Sequence, residues 1–173
     1  HGLGHGQALG QRQAPGQFGG EQQVFAGLGG GDGLGALLAR GLGMGGMAQA
    51  GEIGQLFEVK YRAAHAGPKE LGCSPYFYNW LYDADLNGAG ALMDYCCYGA
   101  ALARYLLGQP SRVVGVAGRL QKDYITLDDN AVIVMQWPRA LAISEASWTQ
   151  IGHLTSYVTV IYGSEGTLVV ERE

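Results

Sequence analysis

The stretch NGAGALMDYCCYGAALARYLLG, residues 87–108, limits what this chain can become more than any other. Glycine and alanine fill positions 88–91, and the apolar run that follows carries only two charges, Asp94 and Arg104. Gly108 and Pro110 close the run, as a glycine just past a helix end and a following proline do. The pattern predicts a buried helix, with Asn87 placed to cap its start through a side-chain oxygen. Gly88 and Gly90 leave the first turn loosely defined.

Asp94 and Tyr98 are four residues apart, a spacing that stacks two side chains on one face of a helix. Ala101 and Tyr105 continue the same stripe. A carboxylate buried without a partner costs several kcal/mol, roughly, so Asp94 needs a donor, a proton or a ligand. Spacing alone leaves two readings open: a satisfied core network, with a backbone N–H or an arginine on Asp94, or a substrate site.

The 173 residues suffice for one domain with a real core. A net charge of −4 with no basic stripe makes nucleic acid an unexpected partner. No uninterrupted apolar run reaches the length of a membrane span; the best stretch, 89–107, is broken by Asp94 and Arg104. No secretory leader opens the sequence. The three cysteines, Cys73, Cys96 and Cys97, lack the even, spaced framework of a disulfide scaffold. Cys96 and Cys97 read as small apolar residues pointing different ways from a helix, not as a metal or redox pair. A reducing, cytoplasmic setting fits.

Residues 1–50 are a different material. They hold 17 of the 30 glycines, and the charges among them are Arg12, Glu21, Asp32 and Arg40. A segment so rich in glycine and poor in buriable surface is expected to be a disordered arm. His1 and His5 have helical ligand spacing, but glycine between them denies the helix, and no metal site is expected. Gly31, Gly33 and Ala36 match a dinucleotide fingerprint. That motif works only between a buried strand and a helix; the preceding VFAGL is too weak a strand, and in glycine-rich sequence the match carries little weight.

From residue 51 onward the chain reads as a second, packed domain, 51–173. Residues 56–61 alternate apolar and polar like a half-buried strand, and His65 follows at its end. A loop histidine there is a candidate to hydrogen-bond a sugar, with a solvent or backbone contact as the plainer alternative. Residues 73–88 are dense in aromatics, which either stack on sugar faces or are simply buried. Strands are predicted over 112–120, 131–137, 141–150, 155–163 and 167–173, with turns at 128–130, 138–140 and 164–166. Strand, helix, then several strands makes an α+β fold: an open, mostly antiparallel sheet with helices on one face.

Residues 87–108 resemble the signature helix of the Gfo/Idh/MocA oxidoreductases: a small-residue triplet, two apolar residues, Asp, three residues, His or Tyr, and a leucine-rich end before glycine. The turn GSEGTL at 163–168 resembles that family's Gly-Thr-Glu-Gly-Ser/Thr-Leu. The resemblance starts near Gly51, with GEIGQLFEVKYRAAHAGPKE, and covers about 51–173. It implies the substrate-binding and dimerisation domain of an NAD(P)-dependent oxidoreductase acting on a sugar or polyol hydroxyl. Asp94 and Tyr98 take the positions that orient the hydroxyl and handle its proton. Tyr98 in place of histidine is similar to the branch with glucose-fructose oxidoreductase and aldose 1-dehydrogenases. Tyr76, Tyr78, Asn79 and Trp80, with His65, are implied pocket residues.

The resemblance also implies what to look for and not find. Family members bind NAD(P) in a preceding Rossmann half, whose Glu-Lys-Pro lysine assists the tyrosine. This sequence has no Glu-Lys-Pro, and none of its nine lysines and arginines after residue 50 takes that place. Residues 1–50 are therefore expected to be a shifted-frame translation or an unrelated fusion, and the sheet to stop short of the family's closing elements. No NAD(P) is expected to bind this chain alone, and it is expected to be inactive in isolation. A homo-oligomer formed through the sheet is expected, and the alternative function is a non-catalytic sheet domain for homo-oligomerisation or sugar binding.

Overall fold

The computed structural model describes residues 23–25, 46–48, 50–152 and 157–171. His1 and His5, where no metal site is expected, and the fingerprint match at Gly31, Gly33 and Ala36 lie outside the described residues. The described elements are β1 (Gln23–Phe25), β2 (Leu56–Ala64), α1 (Pro75–Leu81), α2 (Ala84–Asn87), a π-helical turn (Leu92–Cys96) running into α3 (Cys97–Leu107), and then β3 (Arg112–Gly118), β4 (Asn130–Trp137), β5 (Ala140–Ser147), β6 (Tyr157–Gly163) and β7 (Thr167–Glu171).

The strands form one mixed sheet in the order β1-β7-β6-β2-β5-β4-β3. Neighbours are antiparallel except β2 with β5 and β1 with β7, which run parallel. The α+β reading, mostly antiparallel with helices on one face, therefore describes the fold. β4 and β5 turn through Pro138-Arg139, and β6 and β7 through 164–166. A short strand at 23–25 lies along β7, so part of the glycine-rich segment adds to the edge of the sheet. Ala48 is buried and packs with Ile53 and Val59, so the packed domain begins before residue 51.

The period-two pattern of each strand decides which face is covered. Val59, Tyr61 and Ala63 of β2, Met135 of β4 and Ala142 and Ala146 of β5 turn toward the helix and are buried. The long helix answers with one face only: Cys96, Gly99, Leu102 and Ala103 are buried, while Met93, Cys97, Ala101 and Tyr105 are exposed. The helix expected to be buried is amphipathic, and its outer face is open. Gly99 sets how close it lies, because a Cβ there would overlap the side chains of Ser144 and Tyr61. Ser144 Oγ also donates to Cys96 O at 3.0 Å, tying sheet to helix.

The start of the helix differs from expectation. Asn87 ends α2, and its Nδ2 donates to Leu81 O (3.2 Å) and Ala89 O (2.5 Å) instead of capping. The cap comes from the turn before β4: Asp128 Oδ1 accepts from Gly90 N–H at 2.8 Å and Oδ2 from Leu92 N–H at 2.7 Å. Asp128 O also accepts from Ala91 N–H at 3.1 Å. Gly90 has to be glycine, because a Cβ there would overlap Asp128 O. The aromatic stretch that follows Cys73 is helical, capped by Ser74 at α1 and by Asp83 at α2. Among the described residues no helix is long and apolar enough to cross a membrane.

Candidate active site at the margin of the long helix

Asp94 and Tyr98 both lie at the margin of the buried helix face, and both are partly exposed. The turn that carries Asp94 is π-helical, a distortion common at functional sites because the extra residue re-aims its side chains. Trp148, one residue past β5, donates its indole N–H to Asp94 Oδ2 at 2.9 Å. Burial pushes the Asp94 carboxyl up from its ordinary value, and the indole bond acts against that shift. Burial likewise raises Tyr98, and the nearby Cys97 and Asp94 add to it. Among the described residues, no lysine or arginine acts on Tyr98.

His65 reaches the same helix through Tyr95. Ala64 and Ser147 are in register on the parallel strands β2 and β5, which places His65 and Trp148 side by side just past the strand ends. His65 is buried, its ring meets Tyr95 edge-on at 5.2 Å, and its Nδ1 accepts from Gly67 N–H at 2.8 Å. That bond puts the ring proton of neutral His65 on Nε2, so it is a donor there. Burial first, then the charge of Lys122, lowers His65 to about 4, against a smaller opposing effect of Glu70.

The surrounding groups brace one another. Lys122 is buried, with Nζ 2.7 Å from Glu70 Oε1 and donating to Ala66 O at 2.7 Å. Tyr124 donates its hydroxyl to Glu70 as well. Tyr82 joins this group to the site: its ring lies 6.0 Å from Tyr124 and 5.5 Å from Trp148. Asp129 is fully buried; burial opposes its charge, but N–H groups of Leu120, Gln121 and Lys122 outweigh that and hold its carboxyl low. Its backbone carbonyl accepts from Trp148 N–H at 2.8 Å.

The aromatic candidates divide. Tyr78 packs against Tyr82 at 5.7 Å. Tyr76 and Asn79 are exposed on α1, and Trp80 meets Phe77 edge-on at 5.9 Å. The aromatic that touches Trp148 is Tyr82, which the sequence reading passed over, as it did Trp148, Tyr95, Lys122 and Asp128.

Two comparisons bear on the family and the fold. The family model described as the GFO/IDH/MocA C-terminal domain matches residues 44–169. The chain belongs to this family. The match starts at 44, consistent with Ala48 lying in the core. The Gfo/Idh/MocA domain is similar in fold to solved structures of low sequence identity. One is levoglucosan dehydrogenase in complex with NADH and levoglucosan, with a TM-score of 0.63 and 23% identity over 79% of this chain and 39% of that one. Another is an inositol dehydrogenase homolog complexed with NAD+ from Azotobacter vinelandii, at 0.62 and 22% over 77% and 35%. A third is an NAD binding oxidoreductase from Klebsiella pneumoniae, at 0.61 and 21% over 78% and 39%. This chain thus spans about two fifths of those structures' length. No curated protein matches its sequence.

The described residues of this Gfo/Idh/MocA domain do not fit a dinucleotide. A pyrophosphate needs the free N–H groups of a helix that follows a glycine-rich turn after a strand. The first N–H groups of the long helix are already held by Asp128, and α1 and α2 are short helices within a loop. No cluster of side chains that could hold a metal ion occurs among the described residues.

Proposed function

We propose that this domain is the substrate side of a sugar or polyol oxidoreductase, with Asp94 and Tyr98 binding and orienting the reacting hydroxyl. The observation that carries the reading is that both groups stay partly exposed at the margin of the helix face packed on the sheet, where Trp148 holds one oxygen of Asp94. Asp94 accepts from a substrate hydroxyl. Tyr98, raised above its ordinary value, stays protonated at neutral pH and donates to a substrate oxygen. His65 Nε2–H is a second donor at the neighbouring strand end. Removing the hydroxyl proton through Tyr98 would require a cation beside it to lower its pKa, and none among the described residues acts on it. The described residues offer no place for NAD(P), so hydride chemistry belongs to a nucleotide-binding half, and the isolated chain turns over no sugar with NAD(P)⁺. That a solved structure of this fold holds levoglucosan with NADH supports the substrate class. The three cysteines are free, in keeping with a cytoplasmic setting.

The test is ligand-observed NMR with a panel of monosaccharides and polyols. Binding is expected for the wild type and lost in Asp94→Asn and Tyr98→Phe. Equal binding by all three proteins, or none by any, would remove the reading.

A second reading, homo-oligomerisation through the sheet, has its own observation. The face away from the helix exposes Val114, Val116, Val134 and Leu141. Beside them runs a balanced strip, with Lys60 3.3 Å from Glu58 and Arg62 2.9 Å from Glu145. A patch with equal acids and bases next to apolar surface is complementary to a second copy of itself across a two-fold axis. Sedimentation should show a dimer that Leu141→Lys dissociates; a monomeric wild type at high concentration excludes it.

A further inference from the structure

We propose that Trp148 is the positioning residue of the site: its indole N–H fixes one oxygen of Asp94 so that the other faces a bound hydroxyl. The inference rests on the reading of Asp94 as ligand-facing. Asp94 Oδ2 is held by Trp148 Nε1 at 2.9 Å. Oδ1 accepts from no described residue, and because no buried polar side-chain atom lacks a partner, it reaches solvent. The carboxylate therefore has one oxygen anchored and one free, the division a binding carboxylate needs to present a fixed lone pair.

Trp148 is itself well fixed. It is fully buried, its ring meets Tyr82 edge-on at 5.5 Å, and its backbone N–H donates to Asp129 O at 2.8 Å. The adjacent Asp128 caps the helix that carries Asp94. One turn thus holds both ends of the Trp148–Asp94 bond, and any shift in that turn moves donor and acceptor together. The groups facing Asp94 are the indole from the end of β5 and, from its own helix, Cys97 and Tyr98. Among the described residues, no cation competes with the indole for Oδ2.

Three tryptophans give the test internal controls. Trp137 donates its indole N–H to Gly108 O at 3.2 Å, and Trp80 is exposed on α1. In a pH series of ¹H–¹⁵N spectra of the whole chain, the Trp148 indole resonance should move as Asp94 titrates, while that of Trp137 stays. The movement should vanish in Asp94→Asn. Trp148→Phe should raise the Asp94 carboxyl further, read by its ¹³C shift, and weaken monosaccharide binding about tenfold, the loss of one charge-assisted hydrogen bond. A Trp148 indole indifferent to pH across the Asp94 titration overturns the proposal, whether or not the Trp148→Phe protein folds. So does wild-type affinity in a folded Trp148→Phe. If the indole tracks Asp94 but the wild type binds no sugar or polyol, the anchoring stands and the substrate reading falls.

Discussion

The Asp128 carboxylate spans two N–H groups at the start of the long helix, Gly90 at 2.8 Å and Leu92 at 2.7 Å. A negative charge at a helix N-terminus that also satisfies two otherwise orphaned donors acts as cap and as dipole partner at once. Asp128→Ala should cost about 1–2 kcal/mol in urea unfolding, with Asp128→Asn recovering part of it through the retained acceptor. Gly90→Ala should cost at least as much, because its methyl group displaces the Asp128 carbonyl. Unchanged stability in both would mean that the helix start is held by something else.

Asp129 gives an acid-stability prediction. Its folded carboxyl lies below the ordinary value of about 3.9, held there by backbone N–H groups against the effect of burial. The stabilisation is present above the unfolded value and is lost as pH falls through the folded one. Unfolding free energy should therefore drop below about pH 4. Asp129→Ala should remove that component and cost roughly 3 kcal/mol at neutral pH, since it strands three N–H donors.

His65 acts in the same direction over a higher pH window. Folded His65 titrates at about 4, below the ordinary 6.5. Between those values the unfolded chain takes up a proton that the folded chain refuses, so stability falls as pH drops from 6.5 toward 4 and levels off below. Imidazole NMR should show a neutral ring with the proton on Nε2 down to about pH 4. His65→Gln should flatten the pH dependence of unfolding between 6 and 4, two limits that follow the ordinary histidine range and its shift.

The helix, the sheet class and the two hairpin turns were legible because each follows from local periodicity and turn chemistry. Asp94 and Tyr98 were legible as a pair for the same reason. The partners that define them were not. Trp148 lies 54 residues from Asp94, and Asp128 lies 38 and 36 from the two N–H groups that it caps. No local pattern marks such pairs, and Asp128 reads as an ordinary turn residue. Asn87 has the right chemistry for a cap, but Gly88–Gly90 let the chain bend between two helices, and the tertiary donor set chose Asp128. The parallel pairing of β2 with β5 was hidden likewise, although it is what brings His65 beside Trp148.

The most direct measurement is chemical-shift mapping of the isotope-labelled chain against a polyol or monosaccharide that it binds. The account predicts movement of Asp94, Tyr98, His65 and the Trp148 indole, with Val114, Val134 and Leu141 on the open sheet face unmoved. Shifts confined to that sheet face, or a site at which Asp94 and Tyr98 stay still, would contradict it.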